Sequence, residues 1–136
     1  MVLRVVFPRN LLERLVEELK RCSVERVFFC LGVRVGDVYS VEDCVECPNV
    51  SRTPRVEFTA DPMCTYKVIV EAEKEGREVT VIAHCHPAGP RPSAKDLRGM
   101  RLWKVPWVIV DSTTGGYAAW IIGEDGEPIE VKVETV

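Results

Sequence analysis

The chain has 136 residues, 46% of them apolar and 29% charged, which predicts one compact domain spanning residues 1–136 with a single core. Its formal net charge is −3 and its basic residues are mixed with acidic ones, so we expect no nucleic-acid partner. No apolar run approaches the roughly eighteen residues that cross a bilayer, and the first residues lack the features of a signal peptide. We therefore expect no membrane association and a cytoplasmic location.

The first half of the chain predicts a strand, an amphipathic helix and two paired strands. Residues 1–7 favour a strand, and residues 8–22 repeat leucine and valine at helical spacing. The apolar stripe of this helix comprises Leu11, Leu12, Leu15, Val16 and Leu19. Segments 25–35 and 37–47 favour strands joined by a Gly-Asp turn, the first too apolar for a solvated edge. The sheet core is therefore expected to begin at residue 25.

The middle of the chain predicts a short strand over residues 55–59, a second helix and a buried strand. Asp61 is suited to the N-cap of that helix, Pro62 to its first position and Gly76 to its end. The apolar segment 77–84 then predicts a buried strand. Strand and helix thus alternate through this part of the sequence.

The last third predicts a short helix over residues 93–100 and then two or three strands within residues 104–136. The breaks between these strands are expected at the Gly115-Gly116 pair and at the Asp125-Gly126 turn. The whole pattern predicts an α/β fold of the α+β kind, in which helices flank a mixed, mostly antiparallel sheet.

Cysteine usage bears on redox state. The six cysteines are Cys22, Cys30, Cys44, Cys47, Cys64 and Cys85. The chain has no glutamine and only two asparagines, a pattern typical of thermophiles, in which intracellular disulfides occur. We expect at least one disulfide among the first five cysteines and a reduced Cys85. The pair Cys44 and Cys47 is the only C-x-x-C, so a disulfide or buried thiol is favoured over a second metal site.

The stretch HCHPAGPRPSAKD, residues 84–96, holds both histidines of the chain. His84 and His86 lie two apart at the end of a predicted strand, so their side chains point to one face and that of Cys85 to the other. Once the proline-rich loop turns back, Asp96 can add a carboxylate oxygen. Three protein ligands and a water would complete a catalytic zinc site.

A plainer interpretation exists for each half of this stretch. Ser93 and Asp96 fit a capping box, which is what an isolated S-x-x-D most often means. An isolated H-x-H is more often a pair of ordinary polar strand residues. The combination of H-x-H, a Gly/Pro loop and P-S-x-x-D is more than capping requires, and it favours the metal site.

These residues resemble the JAMM motif of the MPN-plus zinc metalloproteases, H-x-H-P-x-G followed by P-S-x-x-D. The similarity extends upstream through segment 58–83, and ERVFFCLG, residues 25–32, resembles the strand of that family that begins with its catalytic glutamate. Six residues separate His86 from Ser93, one fewer than is usual in the family. Together the similar segments cover most of the chain, which resembles the minimal prokaryotic members of the deubiquitinase-like family.

The resemblance implies an MPN or cytidine-deaminase-like fold and a mechanism. His84, His86 and Asp96 would bind Zn²⁺, which activates a water molecule for attack on an amide. Glu25 would carry the proton to the leaving amine, and Ser93 would stabilise the oxyanion. The substrate implied is the bond after the Gly-Gly tail of a ubiquitin-like or sulfur-carrier protein.

Other functions remain open at this point. A non-catalytic MPN scaffold is one alternative, although such relatives typically lose these ligands, and a zinc amidohydrolase acting on a small molecule is another. A zinc deaminase would need H-x-E with a later P-C-x-x-C, which does not occur here. A cysteine hydrolase is disfavoured because Cys85 is expected to face away from both histidines.

Overall fold

The structure, a computed structural model, describes residues 2–136. Met1, the first residue of the predicted N-terminal strand, lies outside the described residues. The elements are β1 (Arg4–Phe7), α1 (Arg9–Leu19), β2 (Val27–Gly32), β3 (Arg34–Val35), β4 (Val38–Ser40), β5 (Asp43–Cys47), α2 (Pro62–Lys74), β6 (Glu78–His86), α3 (Ala94–Leu102), β7 (Trp107–Asp111), β8 (Tyr117–Ile122) and β9 (Pro128–Thr135).

The nine strands form one sheet in the order β3-β4-β1-β9-β8-β7-β6-β2-β5. Strand β1 is parallel to β4 and β9, and β6 is parallel to β7. The other five pairings are antiparallel. The predicted mixed, mostly antiparallel sheet flanked by helices is therefore confirmed.

Helices cover both faces of the sheet. On one face, the buried leucines of α1, Leu12, Leu15 and Leu19, pack against β1, β6 and β7. On the other face, α2 and α3 pack against β2, β6 and β7 through a second apolar cluster. A Cβ on Gly99 of α3 would lie 2.6 Å from the Trp107 ring, so this glycine lets the helix approach the sheet closely. The strand β6 is therefore buried on both sides.

The predicted helix ends are confirmed for α2. Asp61 is its N-cap and accepts a hydrogen bond from the Cys64 backbone N–H at 3.0 Å, and Pro62 is its first residue. Gly76 follows the helix with a positive φ of 71°, as a helix stop requires. Among the described residues no helix is long and apolar enough to cross a membrane.

Two predicted strands differ from the structure. Residues 55–59 form a turn and an extended stretch outside the sheet, because the backbone there bonds to the Asn49 side chain and to nearby loop residues instead of a neighbouring strand. Segment 25–35 is divided: β2 pairs with β5, while β3 and β4 form a separate hairpin. Gly32, where the break occurs, leaves no room for a side chain because a Cβ would overlap the Ser40 carbonyl.

The expectation of a reduced Cys85 is wrong, since Cys22–Cys85 and Cys47–Cys64 are disulfides. Cys85 does point away from the histidines, but that face meets the segment that follows α1, where Cys22 lies at a Cα–Cα distance of 6.7 Å. The Cys47–Cys64 bond confirms the expected disulfide among the other five cysteines. Within residues 2–136, Cys30 and Cys44 remain as thiols.

Candidate metal centre

Strand β6 places both histidines at its carboxyl end, on one face of the sheet. Its neighbour β7 runs parallel, and the backbone pairs His84 with Ile109 and His86 with Asp111. His84 is completely buried, between the rings of Phe58 at 5.0 Å and Trp107 at 5.7 Å, and His86 is 8% exposed. The carboxyl ends of adjacent parallel strands are a common place for a binding site in α/β proteins. Here they present two imidazoles.

The loop after His86 is short and is held at two points. Asp111 accepts a hydrogen bond from the Gly89 backbone N–H at 3.1 Å, and the Trp120 indole donates one to the Pro90 carbonyl at 2.7 Å. Ala88 and Gly89 have φ angles of 75° and 93°, so the chain reverses sharply there. The six-residue connection therefore suffices to bring α3 back to the histidines.

Helix α3 begins with the predicted capping box. The Ser93 hydroxyl accepts from the Asp96 backbone N–H at 3.1 Å, and the Asp96 carboxylate accepts from the Ser93 backbone N–H at 2.9 Å. The same carboxylate lies 3.0 Å from Nε2 of His84 and 3.3 Å from Nε2 of His86. The capping and metal interpretations of S-x-x-D are thus compatible in one geometry.

Glu25 lies between α1 and β2 and is only 4% exposed. Its Oε1 atom is 4.0 Å from Nε2 of His84, and its backbone N–H donates to the Pro54 carbonyl at 2.7 Å. Burial raises the pKa of Glu25, because few polar groups replace the lost water, although the nearby imidazoles partly oppose this. A carboxyl with a raised pKa beside two imidazoles has the properties of a proton carrier.

The charges of Asp96, His84 and His86 influence one another. Burial opposes ionisation of Asp96, but the charge of His84 and the hydrogen bonds from His86 and Ser93 outweigh it and hold the pKa of Asp96 below its usual range. The hydrogen bond to Asp96 raises the pKa of His86 to about 9, against the effect of burial. The carboxylate is therefore ionised at neutral pH, as a metal ligand must be.

The donor set fits a divalent cation. Ligand atoms of His84, His86 and Asp96 lie within 4.8 Å of one another, and all three residues are buried. Nδ1 of His84 and Oε1 of Glu25 are buried without a hydrogen-bond partner in the described part of the chain, and Nε2 of His84 lies 3.0 Å from the Asp96 carboxylate without hydrogen-bond geometry. Leaving such a group unpaired costs about 1–3 kcal/mol, so their convergence favours a bound ion over an ordinary packed core. Two imidazoles and one carboxylate form a common set for catalytic transition metals.

A groove of about 550 Å³ opens beside Asp96. Its lining is mostly apolar and includes five aromatic side chains: Phe29, Phe58, Tyr66, Trp103 and Trp107. The Lys95 ammonium and the Glu57 carboxylate form an ion pair at 2.8 Å and also border the groove. A substrate lying here would meet an apolar wall close to the candidate metal ligands.

Sequence comparison places the chain among known proteins. The family described as prokaryotic homologs of the JAB domain, Prok-JAB, matches residues 8–129. This chain belongs to the Prok-JAB family. It is 37% identical to a desampylase of Pyrococcus furiosus over 132 residues, which cover 95% of this chain and 89% of the relative. It is also 36% identical to a probable TtuB-protein conjugate cleaving protease of Thermus thermophilus, over 88% of this chain and 77% of that protein.

Solved structures agree on the Prok-JAB fold. The solution structure of a Desulfitobacterium hafniense protein matches with a TM-score of 0.78 at 23% identity, covering 97% of this chain and 92% of that one. A Salinibacter ruber protein matches with a TM-score of 0.69 at 27% identity, covering 96% and 90%. The predicted MPN-type architecture therefore agrees with experimentally determined folds.

The Prok-JAB structure brings four of the five predicted site residues together: Glu25, His84, His86 and Asp96. Ser93, the exposed N-cap of α3, is hydrogen-bonded to Asp96. Sequence reasoning missed the two residues that anchor the loop. Asp111 had a signal, since an aspartate followed by Ser-Thr-Thr after a buried strand is typical of a side-chain-capped turn, and its carboxylate indeed accepts from Thr113. No local sequence pattern indicated the role of Trp120, because its hydrogen-bond partner, Pro90, is 30 residues away.

Proposed function

We propose that this chain is a zinc-dependent isopeptidase. Its substrate would be an amide bond after the Gly-Gly tail of a ubiquitin-like or sulfur-carrier protein, and residues 1–136 would constitute one catalytic domain. The observation that carries the proposal is the buried convergence of two imidazoles and one carboxylate beside a fourth residue, Glu25, that has no hydrogen-bond partner for Oε1 within residues 2–136. A purely structural core would not leave these groups unpaired.

The choice of zinc rests on the ligands. His84, His86 and Asp96 supply two nitrogens and an oxygen, and a site with three protein ligands and one open position is typical of catalytic zinc. When bound, Zn²⁺ lowers the pKa of water to about 7 and polarises the substrate carbonyl. Proton transfer and stabilisation of the oxyanion would be performed by side chains of the protein.

Glu25 is positioned to move a proton. Its Oε1 faces the candidate metal ligands at 4.0 Å from His84 and would accept a proton from the attacking water. The raised pKa of Glu25 strengthens it as a base and lets it deliver the proton afterwards to the leaving amine. The hydrolysis then balances without a covalent intermediate: water adds to the carbonyl carbon, and the C–N bond breaks as the amine gains the proton.

Ser93 would stabilise the oxyanion. Its hydroxyl oxygen already accepts from the Asp96 backbone N–H, which orients the side chain and leaves its O–H available as a donor. A donor fixed in this way before the reaction is worth about 3–4 kcal/mol where such groups have been removed from other enzymes. The helix cap would therefore also serve the chemistry.

The names of the two relatives support the substrate class. One is a desampylase, and the other is a probable protease that cleaves TtuB-protein conjugates. With identities of 37% and 36% over most of this chain, a conjugate between a small tail-bearing protein and a target is the substrate we infer. The apolar groove beside Asp96 would receive the part of the tail that precedes the two glycines.

The test uses purified protein and a conjugate in which a Gly-Gly-tailed protein is linked to a lysine ε-amine. We expect cleavage after the second glycine, loss of activity on chelation, and recovery with about one equivalent of zinc per chain. A matched conjugate ending in Ala-Ala should be cleaved far more slowly. Cleavage of small amides but of neither conjugate would favour the small-molecule amidohydrolase, and absence of both metal and cleavage would favour the scaffold.

A further inference from the structure

We propose that Asn49 is a positioning residue that sets the place of Glu25 in the site. The inference rests on the proposed function, because it concerns the proton carrier of that reaction. The Asn49 side chain donates from Nδ2 to the Glu25 carbonyl at 2.8 Å, 24 residues away in sequence. No other side chain in the described residues bonds to the Glu25 backbone.

The backbone of Glu25 needs such a partner, since it lies outside the regular elements. Strand β2 begins at Val27, so neither polar backbone group of Glu25 belongs to the sheet ladder. Its N–H donates to the Pro54 carbonyl at 2.7 Å and its C=O accepts from Asn49. Both bonds therefore tie Glu25 to the irregular segment between β5 and α2.

Within residues 2–136, the Glu25 carboxyl group has no hydrogen bond of its own that would fix its position. Its Oε1 atom is buried without a hydrogen-bond partner in the described chain, and the His84 ring nitrogen is 4.0 Å away. A side chain without its own hydrogen bonds takes its position from packing and from its backbone. The two backbone bonds consequently decide where the carboxylate sits relative to the histidines.

All four hydrogen-bonding positions of the Asn49 side-chain amide are used. Besides the Glu25 bond, Nδ2 donates to the Glu57 carbonyl at 3.0 Å, and Oδ1 accepts from the Ser51 and Thr59 backbone N–H groups at 3.0 Å each. An amide side chain offers two donor hydrogens and two acceptor lone pairs, so all four are used. Aspartate would keep the two accepted bonds and lose both donated ones.

The same segment forms one wall of the site. Phe58 packs on His84, and Glu57, Phe58 and Thr59 line the groove beside Asp96. Asn49 therefore couples the position of the proton carrier to that of the wall the substrate touches. It is also one of only two asparagines in a chain without glutamine, and the other, Asn10, is exposed on α1.

The first measurement compares kcat and KM for Asn49→Asp and Asn49→Ala, with Asn10→Asp as a control of identical chemistry. A misplacement of about 1 Å can cost about a hundredfold, so Asn49→Asp should lower kcat by about ten- to a hundredfold. Its KM should stay within about twofold because the bonds that Oδ1 accepts from Ser51 and Thr59 remain and only the Glu57 bond of the wall is lost, whereas Asn49→Ala should also raise KM. Metal content should equal that of the parent, and Asn10→Asp should change none of these quantities.

A double mutant separates positioning from general loosening. If Asn49 acts through Glu25, Asn49→Asp should change kcat by less than about twofold in the Glu25→Gln background, measured in single turnovers. An equal loss in both backgrounds would overturn the proposal, since Asn49 would then act independently of the glutamate. If Asn49→Asp does not fold, Asn49→Ser carries the same comparison.

Hydrogen exchange tests the same link without catalysis. Asn49→Asp should speed hydrogen exchange of the Glu25 backbone N–H, which bonds to the Pro54 carbonyl in the irregular segment between β5 and α2. Exchange of the backbone N–H groups of α3 should not change. If the parent cleaves no Gly-Gly conjugate, the proposed function fails, and this exchange difference still decides whether Asn49 holds Glu25. Unchanged exchange at Glu25 overturns the positioning role whatever the activity.

Discussion

The two faces of β6 differ in how they are stabilised, although their residues alternate along one strand. Val81, Ala83 and Cys85 face α1 in a fully buried apolar cluster, and Cys85 is bonded covalently to Cys22. His84 and His86 face the opposite way, and Nδ1 of His84 lacks a hydrogen-bond partner among the described residues. The apolar packing and the Cys22–Cys85 disulfide therefore lie directly behind the buried histidines of the candidate site.

This difference teaches how a small fold can hold a reactive site. Unpaired buried polar groups cost about 1–3 kcal/mol each, and a chain of this size has only a small net stability to offset them. The apolar face supplies that stability within the same strand, so the polar face does not need to be stable by itself. Substitutions on the two faces should therefore have separable consequences.

The largest expected effect comes from the carboxylate on the polar face. Asp96→Ala removes one of the three proposed ligands, so metal content should fall sharply and conjugate cleavage should fall to background. The measurement is elemental analysis together with turnover. Asp61→Ala, which removes a helix-capping carboxylate from α2 but no metal ligand, is the matched control and should keep both. Full metal retention in Asp96→Ala would contradict the ligand assignment.

Glu25→Gln should come next. It keeps the size of the side chain but removes its basicity, so kcat should fall by about a hundred- to ten-thousandfold at unchanged metal content. Because the raised pKa of Glu25 reflects the cost of burying its charge, the neutral amide should not destabilise the fold. Glu42→Gln, at an exposed glutamate, is the control. Parental turnover by Glu25→Gln would mean that another group carries the proton.

Ser93 allows its two roles to be separated. If Ser93 is the proposed oxyanion donor, Ser93→Ala should lower kcat by about a hundred- to a thousandfold, and loss of the cap should also destabilise α3 by about 1 kcal/mol. Ser93→Gly should show the same kinetic loss with only a few tenths of a kcal/mol of destabilisation. Comparison of kcat with the free energy of unfolding for both variants checks this. A kinetic loss in Ser93→Ala alone would assign the effect to the cap.

Patterns that are local in sequence predicted most of the fold. Neighbouring residues determine the helices, the buried strand that ends in H-x-H and the Asp61 cap. The local sequence was therefore enough to predict them. The separation of β3 and β4 from β2 was not predicted, because it arises where Gly32 meets Ser40 across the sheet. Segment 55–59 has strand-like composition but takes its bonds from the Asn49 side chain.

The same distinction applies to the candidate site. The spacing of His84, His86 and Asp96 is local and predicted the candidate ligand set, whereas Glu25 came only from family resemblance. The anchors Asp111 and Trp120 act across the sheet. Alternation along β6 correctly predicted the direction of Cys85 but not its partner, since pairing depends on where the segment after α1 passes.

The smallest effect on turnover is expected on the apolar face. Replacing Cys22 and Cys85 by alanine opens a disulfide that spans 63 positions in sequence, which should cost about 4 kcal/mol of unfolding free energy. The matched pair, Cys47→Ala with Cys64→Ala, spans 17 positions and should cost about 3 kcal/mol. Denaturant titrations of both double variants give these values.

Metal content and kcat at low temperature should nevertheless stay within a few fold of the parent in both variants, because neither pair contributes an atom to the site. Thiol titration of the unfolded, unreduced parent should find two thiols per chain, Cys30 and Cys44, and a count of six would mean that neither disulfide forms. If opening the Cys22–Cys85 bond released the metal, the two faces of β6 would not be separable. The covalent tie behind the histidines would then belong to the site itself.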